Sequence, residues 1–259
     1  MTKLDEIVAY KRQEIAQAKK DRPLGSLEQS LKRRPPARNF RRAIDRPGVL
    51  SLIAEVKRAS PSAGPIRAGA DAVSVAKSYV QAGCQAISVL TDEKFFSGSL
   101  KDLISVRESV SVPVLRKDFL LEEYSLVEAA SAGADAVLLI AAILEPPLLK
   151  RLIGLARDLS MGALVEVHTE RELGTALDAG AEVIGINNRN LATLQVDLKT
   201  TQTLAKQIPE GKGVVSESGI RSREDLEFVR RCGARAVLIG EEFMAAENIE
   251  KRVKDLMGW

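Results

Sequence analysis

The segment AGADAVLLI at residues 132–140 occurs again in three related forms along this chain. The other copies are AGCQAISVL at 82–90, AGAEVIGIN at 179–187 and CGARAVLIG at 232–240. Each copy contains the end of a helical pattern, a glycine suited to the left-handed cap of a helix, and a short apolar run. Successive copies are 50, 47 and 53 residues apart, and a period of that length indicates a repeated structural unit.

Four other short apolar runs lie between these copies, and helical patterns separate all eight runs. The additional runs are at 50–56, 112–115, 163–167 and 213–215. The clearest helical patterns are at 72–82, 121–132, 146–159, 170–179 and 223–232. Apolar strands that alternate with amphipathic helices predict a parallel sheet covered by helices.

Eight strand–helix units in about 210 residues predict an α/β fold, the (β/α)8 TIM barrel, over residues 50–259. A doubly wound open sheet is the alternative, but no Gly-x-Gly-x-x-Gly motif follows the first predicted strand. Residues 1–49 contain two helical patterns, at 4–20 and 27–33, and a proline-rich link. We expect them to form an N-terminal helical extension, so that residues 1–259 make a single domain.

The composition is that of a globular protein rather than a disordered chain or a fibre. Hydrophobic residues make up 45% of the 259 and charged residues 28%. The apolar runs are shorter than the roughly 20 residues of a transmembrane helix, and Lys3, Asp5 and Glu6 replace the apolar region of a signal peptide. Cys84 and Cys232 lack metal-ligand spacing, so we expect buried thiols and a cytoplasmic protein.

The net charge of +3 is distributed unevenly along the chain. Residues 1–50 carry a net charge of +7, and the remainder carries −4. A basic segment could contact nucleic acid, but this one has no interleaved aromatic residues of the kind that stack on bases. We therefore expect a solvated helical extension and no nucleic-acid partner.

Polar side chains occupy the ends of five predicted strands. These ends read Glu55-Val56-Lys57, Lys117-Asp118, Glu166-Val167-His168, Asn187-Asn188-Arg189 and Glu217-Ser218-Gly219. In a parallel barrel the active site forms where the strands end. Burying ionisable groups there is costly unless they pair or take part in chemistry. Their convergence on one end of the barrel predicts an active site.

Two loops late in the chain predict a phosphate site. SGI at 218–220 and IGE at 239–241 follow the last two strands, and each is followed by a helix. Small residues let backbone N–H groups approach an anion, and helix N-termini favour negative charge. We therefore expect a phosphorylated small molecule near Gly219 and Gly240. On this basis Gly240→Val should raise KM more than it lowers kcat.

Seven motifs in order along nearly the whole chain resemble one family. They are IAEVKRASPS at 53–62, LTDEKFFSGS at 90–99, LRKDF at 115–119, VEVH at 165–168, GINNRNL at 185–191, SESGI at 216–220 and IGE at 239–241. In residues and order they resemble indole-3-glycerol-phosphate synthase. The resemblance implies a decarboxylating lyase of tryptophan biosynthesis, without cofactor or metal. It implies conversion of 1-(o-carboxyphenylamino)-1-deoxyribulose 5-phosphate to indole-3-glycerol phosphate, carbon dioxide and water.

The resemblance also implies catalytic roles. Lys117 corresponds to the general acid at the ketone, Glu166 to a second acid/base group, and Glu55 with Lys57 to a pair that serves carboxylate binding and dehydration. Two further catalytic positions correspond to polar positioning groups, Asn187 and Ser218. Because burial can lower the pKa of a lysine, we expect such a lysine to give and take protons near neutral pH.

Binding roles follow from the same resemblance. The apolar wall around the aryl ring corresponds to Phe96, Phe119, Leu138 and Leu191. Arg189 corresponds to a contact for the benzoate carboxylate, and Ser60 and Glu217 to further substrate-binding positions. The phosphate loops correspond to Gly219, Gly240 and Glu241, the last through its main chain.

Three positions call for separate treatment. Ala63 replaces a lysine that bacterial relatives usually have after the first strand, which affects the loop rather than the chemistry. Glu242 stands where a small residue is common, and we expect it to face solvent because an inward carboxylate would repel phosphate. His168, the only histidine, is expected at a helix start or on the rim, not as a catalytic group.

Two other functions compete with this interpretation. A sugar-phosphate isomerase of the preceding step would favour a Cys/Asp pair at the ends of strands one and five, where this chain has Glu55 and Glu166. A non-catalytic barrel that binds nucleic acid through its basic extension would not need the ionisable strand ends. We expect a monomer, with a weak homodimer as the alternative.

Overall fold

Eight parallel strands close into a barrel in the computed structural model, which describes residues 2–190 and 193–259. The strands are β1 (Ser51–Val56), β2 (Ala86–Leu90), β3 (Val114–Lys117), β4 (Ala136–Ile140), β5 (Gly162–Val167), β6 (Val183–Asn187), β7 (Gly213–Glu217) and β8 (Ala236–Ile239). Each strand pairs with its neighbours along the chain, and β1 closes on β8 with Ser51 opposite Ala236. The predicted (β/α)8 TIM barrel is confirmed, and the open-sheet alternative is wrong.

Three helices precede the barrel, where the sequence predicted two. They are α1 (Lys3–Asp21), α2 (Leu24–Leu31) and α3 (Phe40–Ile44). The unpredicted α3 has only five residues, too few for a periodic apolar pattern. Its Phe40 and Ile44 are buried against the inward side chains of the barrel. A Cβ on Gly162, at the start of β5, would lie 3.1 Å from the Cβ of Phe40, so this glycine makes room for α3.

The remaining helices lie around the barrel. They are α4 (Ala72–Gln81), α5 (Glu93–Phe96), α6 (Leu100–Ser109), α7 (Glu123–Ser131), α8 (Pro146–Asp158), α9 (Glu170–Asp178), α10 (Lys199–Ala205), α11 (Arg223–Arg231), α12 (Glu241–Met244) and α13 (Ile249–Met257). The five predicted helices correspond to α4, α7, α8, α9 and α11. In the four repeated segments the glycine has φ between 86° and 106°, which is the left-handed cap that the repeats predicted.

Alternation along the strands decides which side chains reach the site. In β3, Arg116 points outward and its guanidinium lies 2.8 Å from Glu128 of α7, whereas the neighbouring Lys117 points into the barrel. Both β3 and β7 extend two residues beyond their apolar runs, to Lys117 and Glu217. The polar strand ends are therefore parts of the strands, held by the barrel itself.

None of the helices in residues 2–190 and 193–259 is both long and apolar enough to cross a membrane. Within the same residues, no group of three or more His, Cys, Asp or Glu side chains is arranged to hold a metal ion. Both cysteines are free thiols, but only Cys84 is buried, because Cys232 is partly exposed at the end of α11. Burial raises the pKa of the Cys84 thiol to about 12.

Candidate active site

A cavity of about 190 Å³ opens at the C-terminal ends of the strands. Every sequence-predicted site residue that the structure describes lines it. They are Glu55, Lys57, Ser60, Phe96, Lys117, Phe119, Leu138, Glu166, Asn187, Arg189, Glu217, Ser218, Gly219, Gly240 and Glu241. Leu191 lies outside the described residues. Strand ends that are far apart in sequence thus meet in one place, as a parallel barrel requires.

Lys117 lies at the centre of the ionisable groups. Its Nζ is 3.2 Å from Glu217 Oε2, 3.5 Å from Glu166 Oε2 and 3.9 Å from Glu55 Oε1. Burial lowers the pKa of Lys117, but the three carboxylates outweigh burial and hold the pKa above its usual range. The expectation of a lysine that titrates near neutral pH is therefore wrong for Lys117. This ammonium keeps its proton.

Glu55 and Lys57 form the pair expected from their spacing on β1. Lys57 Nζ is 3.1 Å from Glu55 Oε2, and the hydroxyl of Ser88 donates to Glu55 Oε1 at 3.4 Å. Burial raises the pKa of Glu55, yet the ammonium groups of Lys57 and Lys117 outweigh it and hold the pKa below the usual value. Glu55 is consequently an ionised carboxylate in the cavity wall.

Glu217 differs from the other carboxylates of the site. It is 1% exposed, and its Oε1 accepts no hydrogen bond from the residues that the structure describes. A Cβ at Gly185 would lie 2.2 Å from that oxygen, so the glycine in β6 leaves the space that the carboxyl group occupies. Burial raises the pKa of Glu217 to about 7, because the ion pair with Lys117 offsets only part of the desolvation. Glu217 is thus the carboxyl group that exchanges a proton near neutral pH.

Two hydrogen bonds and an ion pair connect the ends of β5 and β6 to the start of α12. Asn187 Nδ2 donates to Glu166 Oε1 at 3.2 Å, and the backbone N–H of Arg189 donates to Asn187 Oδ1 at 3.0 Å. The Arg189 guanidinium then lies 3.6 Å from Glu241 Oε2. These contacts orient Glu166 on one side and present Arg189 to the cavity on the other.

His168 precedes α9, as expected for a residue at a helix start, but its side chain is not on an open rim. The imidazole is 10% exposed and lies between Glu166 and Glu172. Burial lowers the pKa of His168, while the hydrogen bond to Glu172 and the charge of Glu166 outweigh this and raise it above its usual value.

The predicted phosphate loops form tight turns. Ser218 and Gly219 have φ of 65° and 84°, a conformation that is costly for serine and that clusters at functional sites. A Cβ on Gly240 would lie 2.7 Å from Glu55 Oε2 and 2.9 Å from its Cβ. The added side chain of Gly240→Val would therefore press on the catalytic candidate Glu55, and the larger effect expected on KM than on kcat stays a prediction.

The two departures from the family pattern have local explanations. Ala63 lies in the turn between two short antiparallel strands, at 59–60 and 64–65, and its N–H donates to Ser60 Oγ at 3.1 Å. Glu242 faces solvent only in part, because it also lines the cavity and its carboxylate pairs with Arg252 at 2.5 Å. That pairing neutralises the charge that would otherwise repel a phosphate.

Sequence reasoning gave no site role to several other residues that line the cavity, and four of them come from segments outside the predicted strand ends. Lys3, Leu4 and Ile7 of α1 line one side, and Arg221, after β7, lines another. The helical pattern at 4–20 predicted α1, but not the surface against which Leu4 and Ile7 lie. The net positive charge of residues 1–50 likewise gave no indication that Lys3 lines the cavity.

Comparisons with known proteins agree with this geometry. Residues 4–256 match a family model described as indole-3-glycerol phosphate synthase. The protein of that name from Acetivibrio thermocellus is 46% identical over 258 residues, covering 97% of this chain and 98% of the relative. Its namesake from Desulfotalea psychrophila is 47% identical and covers 93% of each chain.

Among solved structures, a 3-hexulose-6-phosphate synthase superposes with a TM-score of 0.65. The match covers 81% of this chain and 99% of that one at 16% identity, and it therefore supports the barrel fold alone. The family match is different in kind, since it extends over nearly the whole sequence and includes the residues around Lys117. On that ground, the chain belongs to the indole-3-glycerol phosphate synthase family.

Proposed function

We propose that this chain is a carboxy-lyase of tryptophan biosynthesis. It converts 1-(o-carboxyphenylamino)-1-deoxyribulose 5-phosphate to indole-3-glycerol phosphate, carbon dioxide and water. The observation that carries the proposal is the Lys117 ammonium, within 4 Å of three carboxylates at the wall of one cavity. Family membership over residues 4–256 supports the same reaction.

The ring closure needs a proton donor at the substrate ketone. The ring carbon that carries the carboxylate attacks the ketone carbon, and negative charge develops on the ketone oxygen. Lys117 stabilises that oxygen and protonates it, because its raised pKa keeps the ammonium charged until a stronger base forms beside it. Loss of carbon dioxide then leaves the electron pair of the broken bond in the ring.

Dehydration follows, and it needs an acid and a base at once. One group protonates the departing hydroxyl, and another removes a proton from the new ring. The Glu55–Lys57 pair and Glu166 supply these roles on opposite sides of Lys117. Glu217, whose pKa is about 7, exchanges protons with Lys117 between turnovers. Asn187 orients Glu166, and Ser218 is a second polar positioning group.

The rest of the cavity fits the two ends of this substrate. Phe96 and Phe119, with ring centroids 6.1 Å apart, form with Leu138 an apolar wall for the aryl ring. Arg189 binds the benzoate carboxylate, and Ser60 and the undescribed Leu191 complete the binding positions.

The phosphate lies at the opposite end of the substrate. The backbone N–H groups around Gly219, Gly240 and Glu241 bind it, since the first N–H groups of a helix have no acceptor within the helix. Arg221, which lines the same cavity, is the nearest cation that follows β7.

The proposal includes a cytoplasmic monomer, with residues 1–49 and 50–259 in one domain, no cofactor or metal, and no nucleic-acid partner. Arginines of the basic extension are engaged with the barrel. Arg34 donates to the carbonyl of Leu159 and Arg38 to that of Val112, both at 2.7 Å. Side chains that donate to the barrel in this way are not available to bind the phosphate backbone of a nucleic acid.

The test is an assay with the carboxyphenylamino-deoxyribulose phosphate that follows indole fluorescence and carbon dioxide release. We expect both products in equal amounts. The aldose isomer of the substrate, which the preceding isomerase would use, serves as the competing substrate. Turnover of the isomer with no indole product from a folded preparation would overturn the proposal.

A further inference from the structure

His168 lies between a carboxylate of the cavity and a carboxylate behind it. Its Nε2 is 3.4 Å from Glu166 Oε1, and its Nδ1 is 3.1 Å from Glu172 Oε2 on the first turn of α9. The same Glu172 oxygen also accepts the backbone N–H of His168 at 2.8 Å. Helix α9 therefore fixes the orientation of the ring relative to β5.

This geometry determines where the protons are. A carboxylate oxygen only accepts, so the contact with Glu172 places a proton on Nδ1. In a neutral imidazole, Nε2 would then present a lone pair to the Glu166 carboxylate, which is unfavourable for two buried groups. Nε2 has no hydrogen-bond partner within residues 2–190 and 193–259. A second proton, on Nε2, converts the unfavourable contact into an ion pair with Glu166.

The charged groups that face the imidazole ring are all carboxylates. Glu166 is on β5, Glu172 on α9, and Glu217 contributes from β7 across the cavity. Lys117 lies on the far side of Glu166, at 3.5 Å from its Oε2. An imidazolium at this position adds a third cation to a site in which three carboxylates outnumber two lysines.

We propose that His168 is a positioning residue for Glu166, an imidazolium held by Glu172 that directs the Glu166 carboxylate at Asn187 and Lys117. The proposal rests on the proposed function, because it assigns His168 an effect through a catalytic candidate. His168 itself does not line the cavity formed by the described residues.

Because the chain has one histidine, imidazole ¹⁵N NMR gives a single set of signals that report His168 without any assay. We expect Nδ1 to stay protonated throughout, and Nε2 to lose its proton at a pH above the usual value of about 6.5. Glu166→Gln should lower that midpoint by about one pH unit or more, because it removes an opposite charge at contact distance. Glu170→Gln, an exposed change on the same turn of α9, is the matched control and should leave the midpoint in place.

The second measurement is the pH dependence of turnover in His168→Asn, which keeps a polar side chain but cannot be charged. We expect kcat at pH 7 to fall about tenfold with KM nearly unchanged, because Glu166 loses the cation that directs its carboxylate toward Asn187 and Lys117. The acid limb of kcat/KM should move to higher pH, because the site loses a positive charge.

The outcomes separate this inference from the proposed function. A His168 midpoint that Glu166→Gln does not move overturns the inference, even if the variant His168→Asn fails to fold. A wild-type pH profile in His168→Asn, beside an inactive Glu166→Gln, overturns it as well and leaves the proposed function standing. A fully active Glu166→Gln overturns both.

Discussion

Lys11 is buried and Lys117 is largely buried, and both lie among carboxylates, but the carboxylates of the two clusters differ in how completely donors and cations satisfy them. The clasp cluster, on the outer side of β3, consists of Lys11, Glu14, Thr91, Asp92, Arg116, Asp118 and Glu128. The mouth cluster, in the barrel interior, consists of Glu55, Lys57, Lys117, Glu166 and Glu217. Lys117 and Asp118 are neighbours in sequence and belong to different clusters.

The clasp cluster is saturated. Lys11 Nζ lies 2.9 Å from both Asp92 and Asp118 and 3.0 Å from Glu14. Asp118 also pairs with Arg116 and accepts from Thr91 at 2.5 Å. Although burial raises the pKa of Asp118, these cations outweigh it and lower the pKa to about 2. Such a cluster has no proton to exchange at neutral pH, and it fastens α1 to the barrel.

The mouth cluster is not saturated. Its carboxylates are incompletely satisfied, since Glu217 Oε1 accepts no hydrogen bond from the described residues and the pKa of Glu217 is about 7. All five residues of the mouth cluster line the cavity, whereas Asp118 is the one clasp residue that reaches its wall. Burial and pairing alone therefore do not identify a catalytic lysine. An incompletely satisfied carboxyl group beside the lysine does, because it holds a proton that can move.

The largest expected effect is that of Lys117→Ala on turnover. Loss of the proton donor at the ketone should reduce kcat by about 10³-fold or more. The fold should stay intact, because the cavity admits water to the remaining carboxylates. Lys150→Ala, an exposed change on α8, is the control. The measurement is steady-state indole formation beside circular dichroism. A variant that keeps more than a tenth of wild-type kcat would remove Lys117 from the mechanism.

Lys11→Met should affect mainly stability. Removing the cation leaves Asp92 and Asp118 short of a partner, and breaking a buried pair costs about 3–5 kcal/mol. Urea unfolding measures this loss, and Lys19→Met, exposed on the same helix, should change the free energy of unfolding by less than about 1 kcal/mol. KM should rise as well, because Leu4 and Ile7 of α1 line the cavity. If Lys11→Met lowers the free energy of unfolding by no more than Lys19→Met does, the clasp cluster does not fasten α1.

Glu217→Gln should lower kcat and yet stabilise the protein above pH 7. Between pH 4.5 and about 7, folded Glu217 keeps a proton that the unfolded chain has released. The Glu217 contribution to stability is therefore full below pH 4.5 and is lost as pH rises through 7. Replacing this carboxyl group should raise the free energy of unfolding by about 2–3 kcal/mol at pH 8 and leave it unchanged at pH 4. Urea unfolding at the two pH values tests this, with the exposed Glu210→Gln as the control. Equal effects at both would contradict it.

Much of this molecule could be predicted from the sequence, because repeats and motifs are local signals. The four glycine-capped repeats predicted the strands, and the motif residues meet in one cavity as expected. Lys11 was not predicted to be buried, because its partners Asp92 and Asp118 are distant in sequence and a helical lysine ordinarily faces solvent. The pKa direction of Lys117 also escaped prediction, since it depends on distances among carboxylates from three strands.

The most direct test of the contrast between the clusters is a ¹³C NMR titration of the Glu217 and Asp118 carboxyl groups in one sample. If the mouth cluster holds an exchangeable proton and the clasp does not, Glu217 titrates with a midpoint near 7, while Asp118 stays ionised down to about pH 2. In the inactive variant Lys117→Ala, the titration midpoint of Glu217 should move upward, because the cation nearest to Glu217 is gone. A Glu217 carboxyl that titrates at or below 4.5 in the wild-type protein would contradict the account.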